Sequence, residues 1–116
     1  MMLDWNEYRK QIATVVTEIA KISPDTVRGY AQISGAGAKT AHLDAKTREL
    51  IALAVAVTRQ CDGCITVHTD AAVKHGASRE EIMEALGVAV AINAGAALVF
   101  SARAMDAFTA RTTASE

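Results

Sequence analysis

The sequence predicts an all-α protein, a single helical domain over 1–116 with about six helices. Three observations carry that expectation. Apolar residues recur at three- and four-residue intervals through most of the chain. Residues that start and stop helices stand where those patterns begin and end. The one run that could be a buried strand, 50–57, is flanked by helix formers with no turn signal beside it.

The first helix is expected over 4–22. Trp5, Tyr8, Ile12, Val15, Val16, Ile19 and Ile22 form its inward stripe, and Asp4 can accept the free N–H groups at its start. Ser23-Pro24 then ends one helix and opens another, with serine as N-cap and proline at the first helical position. Val27, Tyr30 and Ile33 are expected to face inward, with Gly35 and Gly37 as the stop and a loop over 38–43.

Asp44 is the next N-cap. The helix behind it reaches about Arg59 and becomes apolar all round, from Leu50 to Val57. A helix with no polar face is expected to be enclosed on all sides. A turn over 60–63 leads into a helix from about Asp62 to His75, stopped by Gly76. Ser78 and Glu81 form a capping-box pattern for the next helix, which turns Ile82, Met83, Leu86 and Val90 inward. Asn93-Ala94-Gly95 reads as an interruption, a last helix follows over 96–110, and 112–116 reads as a frayed tail. Gly87, Ala91 and Gly95 leave a smooth face suited to tight helix crossing.

Composition narrows the function classes. The 116 residues carry a net charge of −1, which offers nothing to nucleic acid or to an anionic membrane surface. Hydrophobic residues make up 51% but aromatics only 4%, so the core depends on close backbone approach, and this much apolar surface in a small chain suggests subunit burial. The longest apolar run, 85–100, is interrupted by Gly87, Asn93 and Gly95 and reads as too short to span a bilayer. The first ten residues do not read as a signal peptide, so a cytoplasmic protein is expected. In that compartment a close cysteine pair suits redox chemistry or metal binding better than a permanent staple.

That pair is Cys61-Asp62-Gly63-Cys64, followed by His68. Cys64 and His68 are four apart on the expected helix and share a face. Cys64 also lies in the first turn, where the helix dipole favours a thiolate, and a nearby imidazole can take the proton. Cys64 is therefore the better attacking thiol. Cys61, just before the helix, could close a disulfide with it. In thioredoxin-type Cys-x-x-Cys sites the first cysteine attacks; the histidine after Cys64 reverses that choice here.

Two other readings of these residues stay open. Cys61, Cys64, His68 and His75 are four ligands of types that suit zinc. Alternatively, both thiols could simply pack as small hydrophobes. Glu49, at the front of the apolar helix, is suited to proton transfer if it is near the thiols, and is otherwise a surface residue near a helix start. A straight helix would put it ~18 Å along the axis from Cys61. A bend, the next helix folding across, or a second subunit would be needed to bring it to the site. His42 is assigned nothing, and Asp70 reads as a solvated helix residue.

The run Lys46-Thr47-Arg48-Glu49-Leu50-Ile51-Ala52-Leu53-Ala54-Val55-Ala56, the Cys61–Cys64 pair, His68 and the later run from Gly76 to Leu86 together resemble the AhpD-like alkylhydroperoxidases of the carboxymuconolactone decarboxylase superfamily. The resemblance covers roughly 24–108. It implies an all-α fold assembled as a trimer or hexamer, and thiol-dependent reduction of a hydroperoxide substrate. It makes Cys64 the peroxidatic cysteine, Cys61 the resolving one, and Glu49 and His68 a proton relay. The reductant implied is an external dithiol, lipoyl-bearing or thioredoxin-like, with no metal, haem or flavin. The best-studied peroxidases of the group carry a histidine just before the second cysteine, where this chain has Gly63, which implies a shorter relay. The rival functions are a lactone-decarboxylating lyase, a redox-sensing protein and a zinc-stabilised helical module.

Overall fold

A computed structural model of the chain describes residues 1–113, which form five helices and no strand. They are α1 (Trp5–Ile22), α2 (Pro24–Thr40), α3 (Ala45–Thr58), α4 (Asp62–Lys74) and α5 (Arg79–Thr113). Most boundaries follow from the capping chemistry. The Asp4 carboxylate accepts the Glu7 N–H at 3.2 Å, and that of Asp44 accepts the Thr47 N–H at 2.8 Å. Ser78 and Glu81 close the capping box in both directions, at 3.0 and 2.9 Å. Ser23 is the N-cap of α2, but its hydroxyl bonds Thr26 Oγ1 at 2.6 Å and no backbone N–H.

Two boundaries differ from the sequence reading. The second helix does not stop at Gly35 or Gly37. It continues to Thr40 and ends at Ala41, which takes the left-handed conformation with φ 56°. An interior glycine costs a helix only about 1 kcal/mol, too little to end one unaided. Gly37 serves a contact instead: a Cβ there would lie 2.9 Å from Cδ of Arg48.

The second difference is at 93–95. α5 passes through without a break, so the expected last two helices are one helix of 35 residues, about 52 Å long at 1.5 Å per residue. Asn93 does not compete with the helix. Its amide donates to Ala89 O within α5 at 2.7 Å and to Thr58 Oγ1 at 2.8 Å, which ties α5 to the end of α3. Thr112 and Thr113 continue α5 rather than fray, and 114–116 lie outside the described residues.

The centre is an antiparallel pair. α4 folds back along α3, α5 packs on another side of α3, and α1 packs on α4 while carrying α2 outward. The turn between α3 and α4 depends on Gln60, at φ 53°, with the Cys61 N–H reaching back to Ala56 O at 3.1 Å. Gly76, at φ 84°, closes α4 as expected. The buried residues are few: Leu53 and Ala56 of α3, Thr66 and Ala72 of α4, and Ala89 of α5. Ion pairs fix the outer elements. Lys46 meets Glu81 at 2.7 Å, and Asp70 bonds Lys74 at 2.8 Å and lies 3.8 Å from Arg9 of α1. Asp70 is thus a paired residue between helices rather than a solvated one.

Much of the expected core is open in the single chain. On α3, Ile51 and Val55 are about half exposed, so that helix is not enclosed on all sides. Val15, Val16, Ile19, Ile22, Tyr30, Ile33, Met83 and Val90 are exposed as well. So is the far half of α5, from Leu98 to Phe108. Nothing crosses α5 at Gly87 or Gly95. The reason is the shape of the chain. Its radius of gyration is 19.6 Å, whereas a compact globule of this length has about 13 Å. One chain supplies α3 with only two covering helices. The most apolar 18 residues of α5 have a mean hydropathy of 1.9. By length and composition alone α5 is apolar enough to cross a bilayer, a test that core helices of globular proteins also pass.

Candidate active site

The turn at Gln60 delivers Cys61 to the N-cap of α4. Its sulfur accepts the Cys64 N–H at 3.2 Å. The two cysteines are joined as a disulfide, with Cα atoms 5.3 Å apart, inside the range in which such a bridge can form without moving backbone. Cys64 lies in the first turn of α4, and His68 follows on the same face one turn later.

The antiparallel return of α4 solves the distance problem posed by Glu49. His68, one turn beyond Cys64, travels back along α3 until it meets the first turns of that helix. There its Nδ1 lies 2.6 Å from Glu49 Oε2, and both side chains are about three-quarters buried. A carboxylate only accepts, so the pair is satisfied with the proton on Nδ1, leaving Nε2 as the free acceptor. No bend in α3 and no second subunit is needed for this contact.

Cys64 and His68 also share a cavity of about 310 Å³, lined otherwise by Ala52, Val55, Ala56 and Arg59. Neither Cys61 nor Glu49 is among its lining residues. The arrangement has three layers: Cys64 opens to the cavity, His68 stands beside it, and Glu49 holds His68. Among the described residues no three side chains of histidine, cysteine, aspartate or glutamate cluster as a metal site. His75 is the C-cap of α4, beyond its last turn and well away from its cysteine end. A second hollow of about 330 Å³ lies between α3 and α5, lined by Ile51, Val88 and Ile92 among others, and has no reactive group.

Three features escaped the sequence reading. Thr66 is 3% exposed and donates to Trp5 O at 2.9 Å, clamping the start of α1 onto α4. Its only sequence signal was a hydroxyl amid small apolar residues. Gly63 sits beneath α1, where an added Cβ would be 3.1 Å from Ile12 Cδ1. A side chain at the position where the resemblance leads one to look for a histidine would therefore have to displace the tip of Ile12 by a few tenths of an ångström. Arg59 lines the cavity, and its signal was a cation ending an apolar run.

The carboxymuconolactone decarboxylase family profile matches residues 24–107, which takes in α3, the cysteine turn, α4 and most of α5. The chain belongs to the carboxymuconolactone decarboxylase family. Relatives within reach of this family member include an uncharacterised protein of Haemophilus influenzae, 45% identical over 108 residues, covering 93% of this chain and 96% of that one. Another, from Cupriavidus necator, is 29% identical over 92 residues and covers 79% and 81%. A carboxymuconolactone decarboxylase family protein of Legionella pneumophila, solved in its apo form, superposes with a TM-score of 0.72 at 40% identity, covering 90% of this chain and 93% of that one. The helical fold and the family read from the sequence both stand.

Proposed function

We propose that this carboxymuconolactone decarboxylase family protein is an AhpD-like thiol peroxidase, cytoplasmic and homo-oligomeric. One observation carries the reading: an imidazole oriented by a carboxylate stands in the same cavity as one cysteine of a vicinal redox pair. His68 Nε2 takes the Cys64 proton. The thiolate attacks the distal oxygen of a hydroperoxide, the O–O bond breaks, and the departing alkoxide recovers the proton from His68 as an alcohol. Cys64 is now a sulfenic acid. Cys61 condenses with it, forming the disulfide and releasing water. An external dithiol, lipoyl-bearing or thioredoxin-like, then reduces the disulfide and is itself oxidised. The cycle calls for no metal, haem or flavin. Lactone decarboxylation would leave the cysteine pair without a task.

The exposed apolar faces of α2, α3 and α5 support an assembly of several copies, and the resemblance favours a trimer or hexamer. The test of the enzymatic reading is turnover with an alkyl hydroperoxide and a dithiol. Cys64→Ser should remove turnover, and Cys61→Ser should stop at a sulfenic acid or a mixed disulfide. Full activity in the Cys64→Ser protein would falsify the assignment.

A further inference from the structure

The Cys64–His68 cavity has an uneven lining. Ala52, Val55 and Ala56 make an aliphatic wall, and Arg59 is the one permanently charged group. The backbone of Arg59 is fixed where α3 ends. It is the C-cap of α3, its N–H bonded to Val55 O at 2.9 Å, and the left-handed Gln60 follows it. Arg9 and Lys74 are engaged with Asp70, Arg28 with Asp25 and Lys46 with Glu81, whereas Arg59 is the basic residue that lines the cavity of Cys64 and His68. Among the described residues the Arg59 guanidinium makes no hydrogen bond and no ion pair. It thus presents unpaired N–H donors at the rim of an aliphatic cavity whose other polar members are the Cys64 sulfur and an imidazole.

We infer that Arg59 selects a substrate bearing a carboxylate, an aliphatic hydroperoxy acid whose body lies on Ala52, Val55 and Ala56 while its peroxide reaches Cys64. The substrate class rests on the thiol-peroxidase reading of Cys64; the carboxylate recognition does not. A guanidinium binds a carboxylate through two parallel hydrogen bonds. The aliphatic wall gains by covering a chain and offers nothing to a second polar group. Arg59 is a binding residue in this account, with no part in proton transfer.

Alkylation of the reduced protein tests this without any need for turnover. Iodoacetate and iodoacetamide react with the same thiolate, displace the same iodide, and differ in one carboxylate. Mass spectrometry gives the rate of each at Cys64. In Arg59→Gln the iodoacetate-to-iodoacetamide rate ratio should fall about threefold, the effect that one cation has on a carboxylate at a separation of about 6 Å in a water-like medium. Arg59→Lys should keep most of the ratio, and added salt should erase the difference between wild type and Arg59→Gln. Octanoate should slow iodoacetamide modification of Cys64 in the wild type but not in Arg59→Gln, while octanol acts equally on both. An unchanged ratio, or octanoate protection that survives in Arg59→Gln, overturns the inference. So does a change in assembly mass with no change in ratio, which assigns Arg59 to a contact between copies. In turnover, Arg59→Gln should raise KM for a hydroperoxy acid by more than it raises KM for cumene hydroperoxide; equal losses on both also overturn it. Were the protein not a peroxidase, the alkylation ratio would still report on Arg59, so the two failures are separable.

Discussion

Glu49 Oε2 and His68 Nδ1 lie 2.6 Å apart although nineteen positions separate them in the chain. The contact exists because α4 returns antiparallel along α3, so that a residue at the start of one helix faces one in the middle of the next. It orients the imidazole that shares a cavity with Cys64.

Replacing His68 with asparagine removes the proposed proton acceptor, and turnover should fall by about 10²-fold, a usual contribution of a general base. Glu49→Gln should cost less, roughly tenfold, because glutamine can donate to Nδ1 and so permits the tautomer in which Nε2 carries the proton. Steady-state rates across pH check this. Glu49→Gln should lower the plateau rate, and Glu49→Asp should recover part of it if the imidazole is still reached.

Thr66→Val keeps the volume of the side chain and removes its donor to Trp5 O. The loss should be about 1 kcal/mol of stability. Hydrogen exchange should show it as faster opening of α1, with α3 and α5 little changed.

Leu98, Phe100 and Phe108 are all more than 60% exposed on the outer half of α5. Phe100→Asp should therefore disrupt assembly while leaving the Glu49–His68 contact intact. Light scattering should give the wild type a mass of at least three chains of 12.2 kDa and the variant a smaller one. A wild-type monomer would contradict the assembly reading.

The Lys46–Glu81 pair sets two edges to the pH range of stability. The hydrogen bond to Lys46 holds the Glu81 carboxyl below its usual value of 4.5, and the bond to Glu81 raises Lys46 above 10.5. A lowered carboxylate contributes stability above its unfolded pKa and loses it as pH falls through the folded one. A raised ammonium contributes below its unfolded pKa and loses it as pH rises through the folded one. Asp70, lowered first by its bond to Lys74, and Asp44, lowered first by Thr47, add to the acid edge. Thermal melting should therefore weaken below about pH 4.5 and above about pH 10.5. Lys46→Met should flatten the alkaline edge and reduce the acid one.

Residues that act locally were legible in the sequence. Asp4, Asp44 and the Ser78–Glu81 box were read as caps because capping depends on neighbours three residues away. Cys64 and His68 were paired by helix spacing alone. Glu49 was named as a candidate, but no spacing rule could bring it to His68, since that depends on the direction in which α4 leaves Gln60. The break at Asn93 was misread because its side chain bonds Ala89 and Thr58 and so supports the helix it was expected to end. The inward stripes on α1, α2 and α5 mark faces that need covering, and periodicity does not say whether the cover is the same chain or another copy.

In the proposed cycle peroxide drives Cys64 through a sulfenic acid into a disulfide with Cys61. The direct measurement is titration of the fully reduced protein with an alkyl hydroperoxide, thiols counted and both cysteines mapped by mass spectrometry. One equivalent of peroxide should consume two thiols per chain and leave a Cys61–Cys64 disulfide that a dithiol reverses, and Cys61→Ser should carry one added oxygen on Cys64. Thiols that survive excess peroxide, or oxygen found first on Cys61, would contradict the account.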